Sequence, residues 1–342
     1  MDYLVARLID PLLMPVHPGE RVYWLYLASG LAFAAGFYFF RRRNPASLRG
    51  LAAYLFPRRL LLHASALLDY RFFVVNRVVF GLLLLPALPA AALGAAAVTR
   101  AALVGLFGER SFPTSGELLL LQTVLSALAL DLGLFIAHRL QHEVPMLWEF
   151  HKVHHSAEVL TPVTAYRMHP VDDLLSMGLS GALGGIVNGV FQFLDPGNPG
   201  PLVLLGLHAA VFVYYLAGFN LRHSHIPLDY PRWLGRVLIS PVQHQIHHSD
   251  APQHAGKNLG FIFSFWDAAC GTLLRPRSER LSFGLAGHDD WGYTSLRRIY
   301  FVPFLRAFRM MPMPQVALML ACLAAAMAVS LGVALTPLPP AP

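Results

Sequence analysis

Residues 117–155 read ELLLLQTVLSALALDLGLFIAHRLQHEVPMLWEFHKVHH, and this stretch decides the fold. Its first half is apolar for about the 20 residues that a helix needs to cross a bilayer. One carboxylate, Asp131, interrupts it. A charge at membrane depth is costly and usually functional. Asp131 stands two helical turns before His138, so it is a candidate to orient a ligand imidazole through that ring's second nitrogen. The apolar run continues straight into His138 and His142, then into His151, His154 and His155. Residues three and four apart share one face of a helix. HxxxH and HxxHH are therefore each expected to aim their imidazoles at one point.

The signature returns far along the chain, where His244, His247 and His248 form a second HxxHH. Neutral imidazole suits Fe, Zn, Cu and Ni. The motif histidines exceed what a single four- or six-coordinate ion takes, so two ions are the economical count. His223, within NLRHSHIP at 220–227, is the best further ligand, and Asn220 and His225 flank it as weaker candidates. His169, ahead of Pro170 in YRMHPVDD, is a candidate to support a ligand from behind. His17, His63, His208, His254 and His288 stand alone and read as structural.

Composition places the chain in a membrane. Of its 342 residues 56% are hydrophobic and 13% charged, against about 25% charged in soluble domains. Six stretches can span: 22–40, 78–98, 117–137, 174–194, 201–219 and 315–335. Pro86 and Pro89 make the second a kinked helix or a tight helical hairpin. Gly178, Gly181, Gly184 and Gly185 suit the fourth to close helix contact. The expected fold is an all-α integral membrane protein with about four to six transmembrane helices and a cytoplasmic histidine-rich helical cap. With residue 1 outside, only Arg7, Arg21, Arg100 and Arg110 of the 26 Lys/Arg lie outside. Segments 41–77, 138–173 and 220–314 then face the cytoplasm, and every histidine cluster shares that face. The first apolar run follows Asp2, Asp10 and Glu20 and ends at Arg41, so it reads as a retained span and not a cleaved signal. The charge of +7 is accounted for by anionic lipid headgroups and calls for no nucleic acid. Cys270 and Cys322 lie far apart and suggest neither a disulfide framework nor a cysteine zinc site. The excess of arginine over lysine is associated with GC-rich bacteria, hence a bacterial inner membrane.

In their order these motifs resemble the fatty acid hydroxylase / sterol desaturase superfamily of membrane non-haem di-iron oxygenases. The likeness runs from about Asp131 to Thr272, through HRLQH, WEFHKVHHS, AYRMHPVDD, RHSHIP, SPVQHQIHH and KNLGFIFSFWDAACGT. It implies two iron ions held by His138, His142, His151, His154, His155, His223, His244, His247 and His248. Zinc would compete on purification. It implies O2 as co-substrate and hydroxylation of a C–H bond in a sterol, fatty acyl chain or related lipid, with desaturation on the same centre as the alternative. It divides the chain into N-terminal membrane helices with a basic cytosolic loop (1–116), a hydroxylase-like catalytic domain (117–275), and a cytosolic segment with a final helix (276–342). His225 stands where many relatives carry asparagine or glycine, which leaves its role open. HPGE at 17–20 is too isolated to mark a fused cytochrome b5. The sequence carries no Rossmann GxGxxG, CxxCH or iron–sulfur cysteine set. Electrons are thus expected from an external carrier, a ferredoxin or cytochrome b5-like protein, with its reductase. A metal transporter would instead hold its ligands at mid-membrane, and a zinc hydrolase would use about three.

Overall fold

The structure, a computed structural model, describes residues 9–41, 47–84, 88–277, 280–287 and 292–310. The chain forms α1 (Trp24–Arg41), α2 (Leu48–Leu55), α3 (Arg58–Leu61), α4 (Ala64–Leu83), α5 (Leu88–Phe107), α6 (Gly116–Glu143), α7 (Pro145–His155) and α8 (Pro170–Leu194). A short hairpin, β1 (Val203–Leu204) and β2 (Leu207–His208), leads into α9 (Ala209–Leu216). A 3-10 turn (Phe219–His223), α10 (Pro241–His247), α11 (Phe265–Cys270) and α12 (Leu296–Arg309) follow. The expected all-α membrane class is what the structure has.

Among the described residues three helices are long and apolar enough to cross a membrane: Pro89–Phe107 in α5, and all of α6 and α8. They pack on one another through small residues. A Cβ on Gly133 of α6 would lie 2.5 Å from the Ser180 Cα of α8, and one on Gly185 would strike the Ala92 carbonyl of α5. Ser180 also donates its hydroxyl to the Leu130 carbonyl at 2.9 Å. Exposed Leu93, Leu120, Val124, Ile186 and Val190 give the trio an apolar outer surface. Ser115 caps α6 by accepting from the Leu118 amide at 3.3 Å. The helix ends at Val144, whose extended backbone (φ −93°, ψ 112°) is the conformation that the following Pro145 favours. The chain turns there and starts α7, so the histidines of both helices meet at one end of the trio.

Three of the six sequence spans are placed differently. Stretch 78–98 divides between α4 and α5, and residues 85–87 are outside the described set. Stretch 201–219 is not a span. Leu205 and Gly206 take positive φ (50° and 80°) and make the hairpin, which leaves only the 8 residues of α9, about 12 Å of helix. Stretch 22–40 forms α1, but α1 does not carry the chain away from the histidines. Its Tyr26 packs on Phe212 and Tyr215, at ring distances of 5.5 and 5.2 Å. Ala34 lies with Leu221 and Ile226, and Tyr38 packs on Tyr54 at 5.3 Å. The helix thus lies along the histidine-bearing half from end to end. Arg21, read from sequence as on the opposite face, donates to the Ala165 carbonyl at 2.8 Å. Stretch 315–335 lies outside the described residues.

Gly133→Leu should force α6 and α8 apart, because overpacking costs about 1–3 kcal/mol and backbone cannot yield cheaply. Gly178→Leu, with nothing within 4 Å of its Cβ, should be tolerated. Thermal stability of the detergent-purified variants checks the difference.

Candidate metal centre

The last turns of α6 carry His138 and His142, α7 carries His151, His154 and His155, the 3-10 turn ends on His223, and α10 carries His244 and His247, with His248 at its C-cap. α10 starts where it does because Ser240 and Gln243 form a reciprocal capping box with Pro241 at the first turn, each part of which favours helix initiation.

The nine rings gather in two groups. His138, His142, His151, His155 and His247 form one, and His154, His223, His244 and His248 the other. In each, one nitrogen per ring lies within 4.8 Å of the others. The groups abut, for the His155 and His248 rings stack at 4.7 Å. This corrects the expectation that each HxxHH converges on one point. Successive helical residues are about 100° apart around the axis, so adjacent histidines diverge. His151 and His155, four apart, stay together while His154 joins the other group. His244 and His248 likewise stay together while His247 crosses over.

Both groups have the chemistry of metal ligands. The Nε2 atoms of His223, His244 and His248 form a triangle with 3.1 Å sides. That is close to the roughly 3.0 Å between neighbouring ligands of an octahedral ion with bonds of about 2.1 Å. In the first group Nε2 of His142, His151, His155 and His247 are buried with no hydrogen-bond partner, which native interiors rarely tolerate. Acceptors hold the outward-facing nitrogen of three of the rings. His138 Nδ1 donates to the Leu259 carbonyl at 2.7 Å, His247 Nδ1 to the Lys257 carbonyl at 2.9 Å, and His151 Nδ1 faces Asp172 Oδ2 at 3.4 Å. With the proton on Nδ1, the Nε2 lone pair points inward. His244 is the exception: its Nδ1 accepts from Arg222 Nη2 at 2.8 Å, so a metal on its Nε2 would have to displace that ring's proton. Burial pushes His151, His154, His155, His223, His247 and His248 well below the ordinary histidine range, which keeps these rings neutral and their lone pairs available.

The carbonyls that orient these rings belong to the segment 257–263, and two carboxylates pin it. Asp131 accepts from the amides of Ile262 (2.7 Å) and Phe263 (3.0 Å) and from Trp266 Nε1 (3.0 Å). Asp267 accepts from the amides of Leu259 and Gly260, both at 2.8 Å. Asp131 was expected to bond an imidazole directly; it acts one step further out, because that loop intervenes. Of the other support candidates, His169 and His225 belong to neither group. His169 caps α8 through the Val171 amide and reaches the Tyr300 carbonyl with Nε2. Asn220 donates to the Arg21 carbonyl, and His225 Nε2 donates to the Tyr54 carbonyl at 2.7 Å. Of the lone histidines, His63 and His208 cap helices, and His17 accepts from the Gly19 amide. His254 is buried and belongs to neither group, while His288 lies outside the described residues. Sequence reading missed Arg222 and Asp172, although both sit inside quoted motifs next to charged or histidine neighbours.

Histidines of both groups open onto a cavity of about 390 Å³. His138, His151, His154, His223 and His244 line part of it, and Phe73, Phe80, Leu134, Met177 and Phe261 line the rest with the charged residues Glu20, Arg21, Arg77, Asp173 and Arg222. Part of this lining comes from the chain before residue 117.

The fatty acid hydroxylase family model matches residues 123–272. The chain is similar to ornithine lipid hydroxylase OlsE of Rhizobium tropici, with 30% identity over 50% of this chain and 48% of that protein. It is similar to alkylglycerol monooxygenase of Danio rerio, with 30% identity over 47% of this chain and 32% of that protein. It is also similar to the Delta(7)-sterol 5(6)-desaturase ERG3B of Gibberella zeae, with 27% identity over 47% and 44%. The chain thus spans about half or less of the length of these relatives. No solved structure matches.

Asp131→Ala would leave two buried amides and an indole N–H without their acceptor. Each such donor costs about 1–3 kcal/mol. The variant should therefore lose far more thermal stability than Glu109→Ala, which removes only an exposed ion pair with Arg100; calorimetry of the two purified proteins checks this.

Proposed function

We propose that this chain, whose residues 123–272 match the fatty acid hydroxylase family model, is an O2-dependent di-iron oxygenase that hydroxylates a C–H bond of a membrane lipid. The observation that carries the reading is the division of nine inward-facing histidines into two abutting groups beside an amphiphilic cavity. His138, His142, His151, His155 and His247 would hold one ion, and His154, His223, His244 and His248 the other. Iron bound there supplies activation of O2 toward a C–H bond, given two electrons from outside. Similar imidazole sites also take zinc, which would contaminate purified protein.

The chain's own residues do the rest. The 257–263 segment fixes His138 and His247 through its carbonyls, and Asp172 faces His151. The apolar wall receives the lipid and keeps water from the reacting carbon. His138 and His142 sit in the last turns of the apolar helix α6 rather than at its middle, which favours an enzyme over a transporter. We assign the histidine half to the cytoplasmic side of a bacterial inner membrane. Arg21 joins the basic residues of that half, while Arg100 and Arg110 stay far from it, which strengthens the charge asymmetry that sets orientation. An external ferredoxin or cytochrome b5-like protein, with its reductase, would then deliver electrons from the cytosol. Desaturation on the same centre is the second reading, favoured by the similarity to a sterol desaturase.

Iron-loaded protein should bind about two ions per chain, a count that follows from ligand number. His151→Ala and His247→Ala should lose metal and His63→Ala should not; equal metal content in all three would make the clusters structural. Given a reducing system, isotopically labelled O2 and native lipids, the enzyme should place one labelled atom in a hydroxylated product. A new double bond without label would select the desaturase. No O2-dependent change in any lipid would exclude both.

A further inference from the structure

The metal-facing cavity is not apolar throughout. Glu20 and Arg77 form an ion pair in its wall, and Tyr166 donates its hydroxyl to Glu20 Oε2 at 3.3 Å. Arg21 spends one bond on the Ala165 carbonyl, and its guanidinium lies over the Tyr166 ring at 5.8 Å. Three charged groups keep spare capacity, one of them Arg222 at Nε, whose guanidinium also bonds the ligand His244. The Asp173 carboxylate lines the cavity and makes no hydrogen bond within the described residues; Arg21 and Arg77 are the opposite charges that reach it. Arg77 Nε is buried without an acceptor. A wholly hydrocarbon substrate would seal these groups away from water with their free hydrogen-bonding positions unfilled, which is unfavourable. A head carrying both a donor and an acceptor would satisfy them.

The polar patch is also close to the histidines. Arg21 lies near enough to His154 and His223 to act on both electrostatically, and Arg77 and Asp173 line the same cavity as these rings. We propose that Arg21, Arg77 and Asp173 form a headgroup subsite. It takes an amphiphile whose head pairs an anionic oxygen with an ammonium or hydroxyl group, so that the carbon presented to the metals lies within a few bonds of that head. This rests on the oxygenase reading for the fate of that carbon, but not for the binding itself. Arg21 and Arg77 take the anionic oxygen, Asp173 takes the ammonium or hydroxyl, and the phenylalanine and methionine wall takes the start of the chain. A sterol with a single hydroxyl would engage only one side of the subsite.

The test measures binding by calorimetry, with iron-loaded full-length protein in detergent. The probes are lysophosphatidylethanolamine, cholesterol, hexadecane and chain-free phosphoethanolamine. Lysophosphatidylethanolamine should bind about tenfold or more tightly than the others, the size of effect expected from one charge-assisted hydrogen bond. That comparison needs no variant. Asp173→Asn and Arg21→Gln should each lose about the same factor while retaining metal. Cholesterol or hexadecane binding as tightly, or metal-retaining variants binding the lysolipid like wild type, would overturn the subsite. Phosphoethanolamine binding as tightly would show a site for a free metabolite and overturn the lipid assignment. Turnover separates the two readings. Binding as predicted with no O2-dependent product from any polar lipid would sink the oxygenase and spare the subsite. Lipid oxidation whose KM and position ignore both substitutions would do the reverse.

Discussion

An α-helix cannot point three histidines at one ion when two of them are adjacent, and the rest of this site is arranged around that constraint. His154 and His155 diverge by about 100°, as do His247 and His248. Each HxxHH on its own would leave one ring facing away from its partners. The fold brings α7 and α10 together so that the stray ring of each completes the other's pair. His247 joins His151 and His155, and His154 joins His244 and His248. Two groups are therefore the consequence of two such motifs packed face to face. His138 and His142 complete one, and His223 the other.

Holding these helices in register falls to groups that never touch the centre. Gly133 and Gly185 let the backbones of α5, α6 and α8 approach to a distance that no side chain would permit. Asp131 reaches from the middle of α6 to the 257–263 segment, and Asp267 grips the same segment from its other side. That segment turns its carbonyls to His138 and His247 and to Arg222, which donates to the Phe261 carbonyl at 2.8 Å. A change at Asp131 is thus felt at rings on two different helices. Partners behind metal ligands commonly tune affinity by about 10- to 100-fold.

Much of this was legible in the residues. Histidine spacing gave the helical faces, and the apolar run ahead of His138 gave the membrane. The positions it missed depend on tertiary direction. Spacings of three and four mark neighbours on a helix but do not say which neighbours share an ion; that needs the second helix. Stretch 201–219 is as apolar as a span, yet the hairpin at Leu205 and Gly206 breaks it, and hydropathy is blind to backbone sign. α1 is apolar because Tyr26, Ala34 and Tyr38 bury against the histidine half while Phe33, Phe39 and Phe40 face outward. Composition cannot tell that pattern from a crossing helix. Arg21 and Asp173 were invisible as partners, being about 150 residues apart in sequence and joined only by the cavity they line.

Iron K-edge absorption on the iron-loaded, detergent-purified protein tests the central claim most directly. Nine imidazoles shared by two groups predict a first shell dominated by nitrogen at about 2.0–2.2 Å, with the outer-shell scattering of four to five imidazole rings averaged per iron. A shell made mainly of carboxylate oxygen, or one with a single imidazole per iron, would contradict the account.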